Sequence, residues 1–223
     1  MGKILRENGL SIVLGLFFLL FLVGQAASGL YAYNEEQLEH GQPSIDFVSY
    51  LGTSHFLEAT MENWESEFLQ MFAFVVLTAC LFQKGSAESK DPEEKESEVD
   101  RDPRDSRNKK DAPWPVRKGG VVLTIYEHSL SLAFLLLFLL SFILHAVGGA
   151  EEYNQSQREH GSTEVLTTLQ YMETPRFWFE SLQNWQSEFL AVFAMVVLSI
   201  FLRQRGSAES KPVDAAHSET GKG

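Results

Sequence analysis

Residues 63–69 read Asn-Trp-Glu-Ser-Glu-Phe-Leu, and residues 184–190 read Asn-Trp-Gln-Ser-Glu-Phe-Leu. Each copy leads into a nearly uncharged apolar run, through Phe82 in the first case and Leu202 in the second. Each run then meets a basic residue and the same six residues, Gly-Ser-Ala-Glu-Ser-Lys, at 85–90 and 206–211. An apolar run used twice between the same polar motifs predicts a duplicated membrane unit whose acidic residues sit where a bilayer begins.

Composition agrees. The chain has 223 residues, a formal net charge of -12 and 17 phenylalanines, and its mean hydropathy is near zero because apolar blocks alternate with charged ones. Apolar runs of about 20 residues joined by charged connectors exclude an ordinary soluble domain. Cys80 is the one cysteine and lies inside an apolar run, so no intrachain disulfide forms and it reads as a small packing residue. No basic patch is interleaved with aromatics, which argues against nucleic acid as a partner.

The first nine residues carry Lys3 and Arg6, and the chain is apolar from residue 10 to about 32, with Gln25 its most polar member. At about 1.5 Å per residue this run spans a hydrocarbon core. Its basic start and the residues Ala26-Ala27-Ser28 also resemble a cleavable leader. The counterpart of this run lies mid-chain, where no leader can act, so it reads as a span. The run 68–82 covers only about 22 Å as a helix against a core of about 30 Å. The motif in front of it must therefore enter the interface and draw Glu67 to its edge or below. Further apolar runs cover 121–150 and 189–202. The expected spans are about 10–32, 63–83, 124–149 and 184–203.

Residues 34–62 contain six acids (Glu35, Glu36, Glu39, Asp46, Glu58 and Glu62) and no Lys or Arg. Residues 151–184 contain six glutamates against Arg158 and Arg176. Lys and Arg concentrate at the N-terminus, in the connector and after residue 202, so both termini and the connector are expected in the cytoplasm and both acidic loops outside. In the first loop Gly41 reads as a left-handed helix cap and Thr53 as the N-cap of a new helix, on which Leu57, Met61, Trp64 and Phe68 recur at helical spacing. Short amphipathic helices are thus expected on the outer side. Between Lys84 and Lys118 there are ten basic residues, ten acids and four prolines, with nothing to bury a core. The expected organisation is a two-span unit over 1–90, a disordered charged linker over 91–118, a second two-span unit over 119–211 and a disordered tail over 212–223.

At an offset of 120, Tyr33-Asn34 meets Tyr153-Asn154, and Glu39-His40-Gly41 meets Glu159-His160-Gly161. After one inserted residue Thr53 meets Thr174, Phe56 meets Phe177, and the stripe Leu57, Met61, Trp64, Phe68 meets Trp178, Leu182, Trp185, Phe189. Two copies with two spans each enter from the same side, which predicts a parallel pseudo-two-fold axis along the membrane normal. These motifs resemble a family of uncharacterised bacterial integral membrane proteins, a domain of unknown function, over both halves. The resemblance implies a multi-pass protein of the bacterial inner membrane and brings no activity with it.

Glu67 and Glu188 recur in both copies of the motif; Glu67, Gln70 and Thr78 share a helix face, and Glu188 and Ser199 repeat that relation. Ionisable groups at such depth mark ion or proton routes. The plainer reading leaves both glutamates in the headgroup zone beside Trp64, Trp178 and Trp185, the anchors of an aromatic belt. His145, a turn inside its span, aligns with Gln25, and either can reach Glu67 or Glu188 across a bundle. The candidate ion or proton site is therefore Glu67, Glu188, His145, Gln25 and Gln70. Ala26, Ser28, Gly29 and their counterparts Ala146, Gly148, Gly149 are small enough for close helix approach. His40 and His160, with Glu39 and Glu159, make a candidate metal site, against the ordinary explanation of imidazoles in a helix's last turn. No other cofactor is expected.

No nucleophile and base pair, phosphate-cradling loop or zinc spacing stands out, so an enzyme is the weakest reading. The leading expectation is an all-α, four-span protein that passes a cation or proton from an acidic outer vestibule. Its partners would then be the bilayer, cations and a second copy, since four spans are few for a transporter. The alternatives are a non-catalytic membrane scaffold or stress-related interaction protein, and an outward-facing metal-binding protein.

Overall fold

The computed structural model describes residues 2–94 and 97–221, and every regular element among them is helical. In chain order they are α1 (Lys3–Glu39), α2 (Phe47–Tyr50), α3 (Ser54–Cys80), α4 (Trp114–Lys118), α5 (Gly120–Glu127), α6 (Ser129–Glu159), α7 (Thr168–Met172) and α8 (Pro175–Phe201). Two 3-10 turns, Glu98–Asp100 and Pro103–Ser106, lie ahead of α4.

Three helices among the described residues, α1, α6 and α8, are long and apolar enough to cross a membrane. Their apolar side chains, such as Leu10, Phe21, Leu136 and Phe193, are left largely uncovered by the rest of the protein. That surface suits a lipid solvent, because a helix satisfies its own backbone groups. The 27-residue α3 falls outside this set, since its apolar part begins only at Phe68.

Breaks in the long apolar stretches have local polar causes. In α1 the backbone leaves helical geometry at Asn8, whose side-chain amide donates to the Ile4 carbonyl at 3.3 Å. The run 121–150 is interrupted at His128 (φ -111), where Ser129 and Ser131 hydroxyls donate to the carbonyls of Tyr126 and His128.

Two compact units divide the chain: Met1–Met61 with Ile143–Phe177, and Glu62–Phe142 with Trp178–Gly223. In the first, α1 and α6 end alike. Gly41 (φ 73) and Gly161 (φ 80) take the left-handed conformation, and the amides of Gln42 and Ser162 donate back to the carbonyls of Gln37 and Gln157. The following loops are clamped by asparagines one turn and a half earlier. Asn34 donates to the Ile45 carbonyl at 3.0 Å and accepts from its amide at 2.8 Å; Asn154 does the same with Leu166, at 2.8 Å each way. Asp46 and Thr167 then cap α2 and α7, the latter in a capping box with Gln170. Thr53 and Thr174 accept from the amides of Phe56 and Phe177, starting α3 and α8.

In the second unit the two Gly-Ser-Ala-Glu-Ser-Lys stretches are helix exits of one design. Gly85 (φ 87) and Gly206 (φ 84) reverse the chain, Ser89 and Ser210 hydroxyls accept from the amides of Gln83 and Gln204, and Ser86 and Ser207 accept from Glu88 and Glu209. The lysines diverge. Lys90 donates to the Ala79 carbonyl at the end of α3 and to Asp100. Lys211 is buried, with its ammonium within 3.2 Å of the carbonyl oxygens of Gly85, Ala216, His217 and Glu219. Ala112, Val116 and Leu123 pack together where α4 and α5 meet.

The ammonium of Lys211 thus ties residues 216–219 to the first exit. Lys211→Met leaves those carbonyls without their donor, at a cost of about 1–3 kcal/mol for an unmet buried group. Limited proteolysis followed by mass spectrometry should show the chain beyond residue 211 cut about tenfold faster, with helicity unchanged.

Candidate functional site

Glycines in α1 and α6 admit two tyrosines. A Cβ at Gly149 would lie 2.6 Å from the ring of Tyr171, and one at Gly29 would collide with the hydroxyl of Tyr50. A Cβ at Gly148 would lie 2.9 Å from the backbone nitrogen of Glu58. Helix α6 is therefore in near backbone contact with the first turns of α3, and both Tyr50 and Tyr171 are fully buried.

Glu58 and His145 meet in this packing. His145 has no exposed surface and stacks on Phe177 with ring centroids 5.0 Å apart. Glu58 is 7% exposed, and one of its carboxylate oxygens lies within 4.8 Å of a ring nitrogen of His145. The Tyr171 hydroxyl donates to Glu58 Oε1 at 3.4 Å, and the guanidinium of Arg176 lies 3.8 Å from the same oxygen. A carboxylate in apolar surroundings persists only with such partners. The cluster brings a carboxyl, an imidazole and a phenol together, with the side chain of Arg176 44% exposed beside them.

A second polar cluster surrounds Tyr50. Its hydroxyl is 2.9 Å from His55 Nδ1, whose ring packs on Tyr33 at 5.5 Å, and Ser54 donates to Glu152 Oε2 at 3.0 Å. Glu152 follows the apolar stretch of α6. Burial pushes its carboxyl above the ordinary value; the Ser54 hydroxyl and His55 pull it back, Glu36 pushes it up again, and Arg176 lowers it. Burial, then Glu152 and Tyr33, raise the Tyr50 phenol in turn. Gln25 donates to Thr60 Oγ1 at 3.2 Å.

Two imidazoles at the ends of α1 and α6 also come together. His40 and His160 have ring centroids 5.5 Å apart, and His40 Nδ1 lies 4.0 Å from Glu159 Oε2. Gln37 and Gln155 each donate to Glu159 Oε1 at 3.1 Å, whereas Glu39 is exposed.

The motif glutamates lie in the second unit. Glu67 is exposed and Glu188 half-buried; Gln70 donates to the backbone carbonyl of Glu188 at 2.8 Å. The fully buried acid of this motif is Glu65, which accepts from the indole N–H of Trp185 at 3.1 Å. Trp178 packs edge-on against Trp185, and Trp64 against Phe68. Sequence reasoning passed over Glu58, Glu65, Tyr50, Tyr171 and Glu152. A usable signal was present for two of them: Glu58 and Glu65 are seven residues apart, two helical turns, on the acidic side of the α3 stripe.

The family model described as "Domain of unknown function (DUF6766)" matches residues 1–222. No curated protein and no solved structure matches the chain.

Two outcomes follow from this packing. Gly149→Ala should lower the thermal midpoint in detergent by an overpacking cost of about 1–3 kcal/mol, relieved in part by Tyr171→Leu. Gly24→Ala, with nothing within 4 Å of the added methyl, should leave the midpoint unchanged or raise it by up to about 1 kcal/mol. For Glu152 the raised carboxyl means that its contribution to stability is full below the ordinary glutamate value and is lost as pH rises through the raised one. Glu152→Gln, permanently neutral, should match the wild-type midpoint near pH 4 and exceed it at neutral pH in a denaturation series.

Proposed function

We propose that the chain, which belongs to the DUF6766 family, is a four-span integral membrane protein of two repeated two-span units that passes a proton or small cation. The single observation that carries this reading is the burial of Glu58 and His145 side by side. Titratable groups withdrawn from water are costly, and in membrane proteins they mark proton and ion routes. Tyr171 and Arg176 extend the pair toward the acidic loops, whose field concentrates cations.

The fourth span in this proposal is α3. Like α8 it is 27 residues long, about 40 Å of helix, enough to cross once its polar first turns sit in the interface. The repeat is supported by paired local structures: the Asn34 and Asn154 clamps, the Thr53 and Thr174 caps, Tyr50 on Gly29 and Tyr171 on Gly149, and the two serine-capped exits. The distribution of Lys and Arg supports cytoplasmic termini in a bacterial inner membrane. Glu67 and Glu188 serve as cation-attracting groups at the edge of the apolar runs.

Proton and cation flux into proteoliposomes tests the proposal. The wild-type chain should conduct above empty vesicles, and Glu58→Gln and His145→Gln should each reduce the flux at least tenfold. Absence of flux, or full flux in both variants, rejects it. Loss of flux in Glu67→Gln with Glu188→Gln, but not in Glu58→Gln, would move the route to the motif glutamates.

A further inference from the structure

We infer that His40, His160 and Glu159 form a binding site for a divalent first-row transition metal, with Zn2+ the best-suited ion, at the C-terminal ends of α1 and α6. This site goes beyond the transport reading and does not rest on it, since a chain that conducts nothing can still hold a metal there.

The histidine protons point to it first. His40 Nδ1 lies 2.9 Å from the carbonyl oxygen of Glu36, and His160 Nδ1 lies 2.7 Å from that of Ser156. A carbonyl only accepts, so in each neutral ring the proton is on Nδ1 and the lone pair on Nε2. Metal-binding histidines are held this way, with one nitrogen donating to a carbonyl and the other left to ligate.

Ring separation points the same way. The centroids lie 5.5 Å apart. Two imidazoles bound through nitrogens at about 2.0–2.1 Å to one tetrahedral ion have centroids about 5 Å apart. Capping of a last turn accounts for each Nδ1 bond separately; it gives no reason for the two rings to converge.

The carboxylate is positioned from both helices. Gln37 on α1 and Gln155 on α6 donate to Glu159 Oε1, and Oε2 lies 4.0 Å from His40 Nδ1, so the His40 ring must turn to bring Nε2 to the carboxylate. Hydrogen bonds of this kind orient a ligating carboxylate. The carbonyl ends of two long helices, 37 and 31 residues, add partial negative charge where a cation would sit. Two imidazole nitrogens and one carboxylate oxygen form a borderline donor set, which selects Zn2+ and its neighbours over Mg2+ or Ca2+. The ligand atoms of His40, His160 and Glu159 do not all lie within 4.8 Å of one another, so binding draws the exposed His160 and half-buried His40 rings toward Glu159.

The test is Zn2+ titration by calorimetry of the full chain in detergent, purified without a polyhistidine tag. One ion per chain is expected, with a Kd of about 100 µM or tighter. His160→Gln and His40→Gln should each weaken binding at least tenfold, and Gln37→Leu about tenfold, the usual effect of a residue that orients a ligand. Circular dichroism and elution volume should match the wild type; because His160 is exposed, its variant tests the site without disturbing packing. Weaker or no binding to the wild type, or unchanged binding in His160→Gln, overturns the assignment. So does retention of Zn2+ by a His40→Gln, His160→Gln double variant together with its loss in His145→Gln, which would place the ion elsewhere.

Discussion

A side chain at residue 149 would occupy the space that Tyr171 fills. The polar interior of the first unit depends on that missing Cβ. With Tyr171 seated against α6, its hydroxyl reaches Glu58, and the start of α8 places Phe177 on the face of His145. Gly148 extends the approach by letting the backbone of α3 come to the surface of α6. Any larger residue at these two positions would open a gap around Glu58 and His145 into which water or lipid could move. Glycine weakens a helix interior by roughly 1 kcal/mol relative to alanine, a cost offset here by the packing of a whole tyrosine.

Burial then governs which polar groups the unit tolerates. In hydrocarbon, or in a dry protein interior, an unmet polar group costs several kcal/mol. Asn34 and Asn154 answer this for the loop backbone, each supplying one donor and one acceptor to a single residue across the turn. Gln25 answers it with Thr60, and Tyr33 receives the amide of Gln155. Neutral partners suffice in those places. Glu58 is different, because its carboxyl is approached by a phenol, an imidazole and a guanidinium rather than by a single neutral partner.

Much of the local structure was legible in the sequence. Apolar length foretold α1, α6 and α8, and glycine after Glu-His foretold the left-handed stops at Gly41 and Gly161. Thr53 caps α3 as its position before an amphipathic stripe implied. The small residues Gly29, Gly148 and Gly149 read as close-approach positions, although what approaches, a tyrosine from the following loop at Gly29 and Gly149 and the α3 backbone at Gly148, was hidden because the loop's own path was unknown. Periodicity assigns a residue to a face of its own helix and cannot say which residue that face meets, so the pairing of His145 with Glu58 was out of reach. Repetition also misdirected attention. Glu67 and Glu188 recur and draw the eye, whereas the buried acid, Glu65, has Gln186 as its counterpart and so looks incidental. Two residues apart on a helix is about 200° of rotation, enough to put Glu65 inside and Glu67 out.

Comparison of the two proposed repeats separates framework from chemistry. The residues that set geometry are the same in both: asparagine in the clamp, glycine at the helix stop and under the tyrosine, threonine at the cap, serine in the exit. Several residues that carry charge differ, although the pairs Glu67 and Glu188 and His40 and His160 recur. Gln25 stands opposite His145, His55 opposite Arg176, Ala32 opposite Glu152, Glu65 opposite Gln186. Packing constraints act on each copy separately, so both copies must keep the framework residues to fold. A charge buried in one copy needs no twin, and two like charges brought near a shared axis would repel across a low dielectric. Buried titratable groups such as Glu58, His145 and Glu65 accordingly stand in one copy only, opposite Phe179, Gln25 and Gln186.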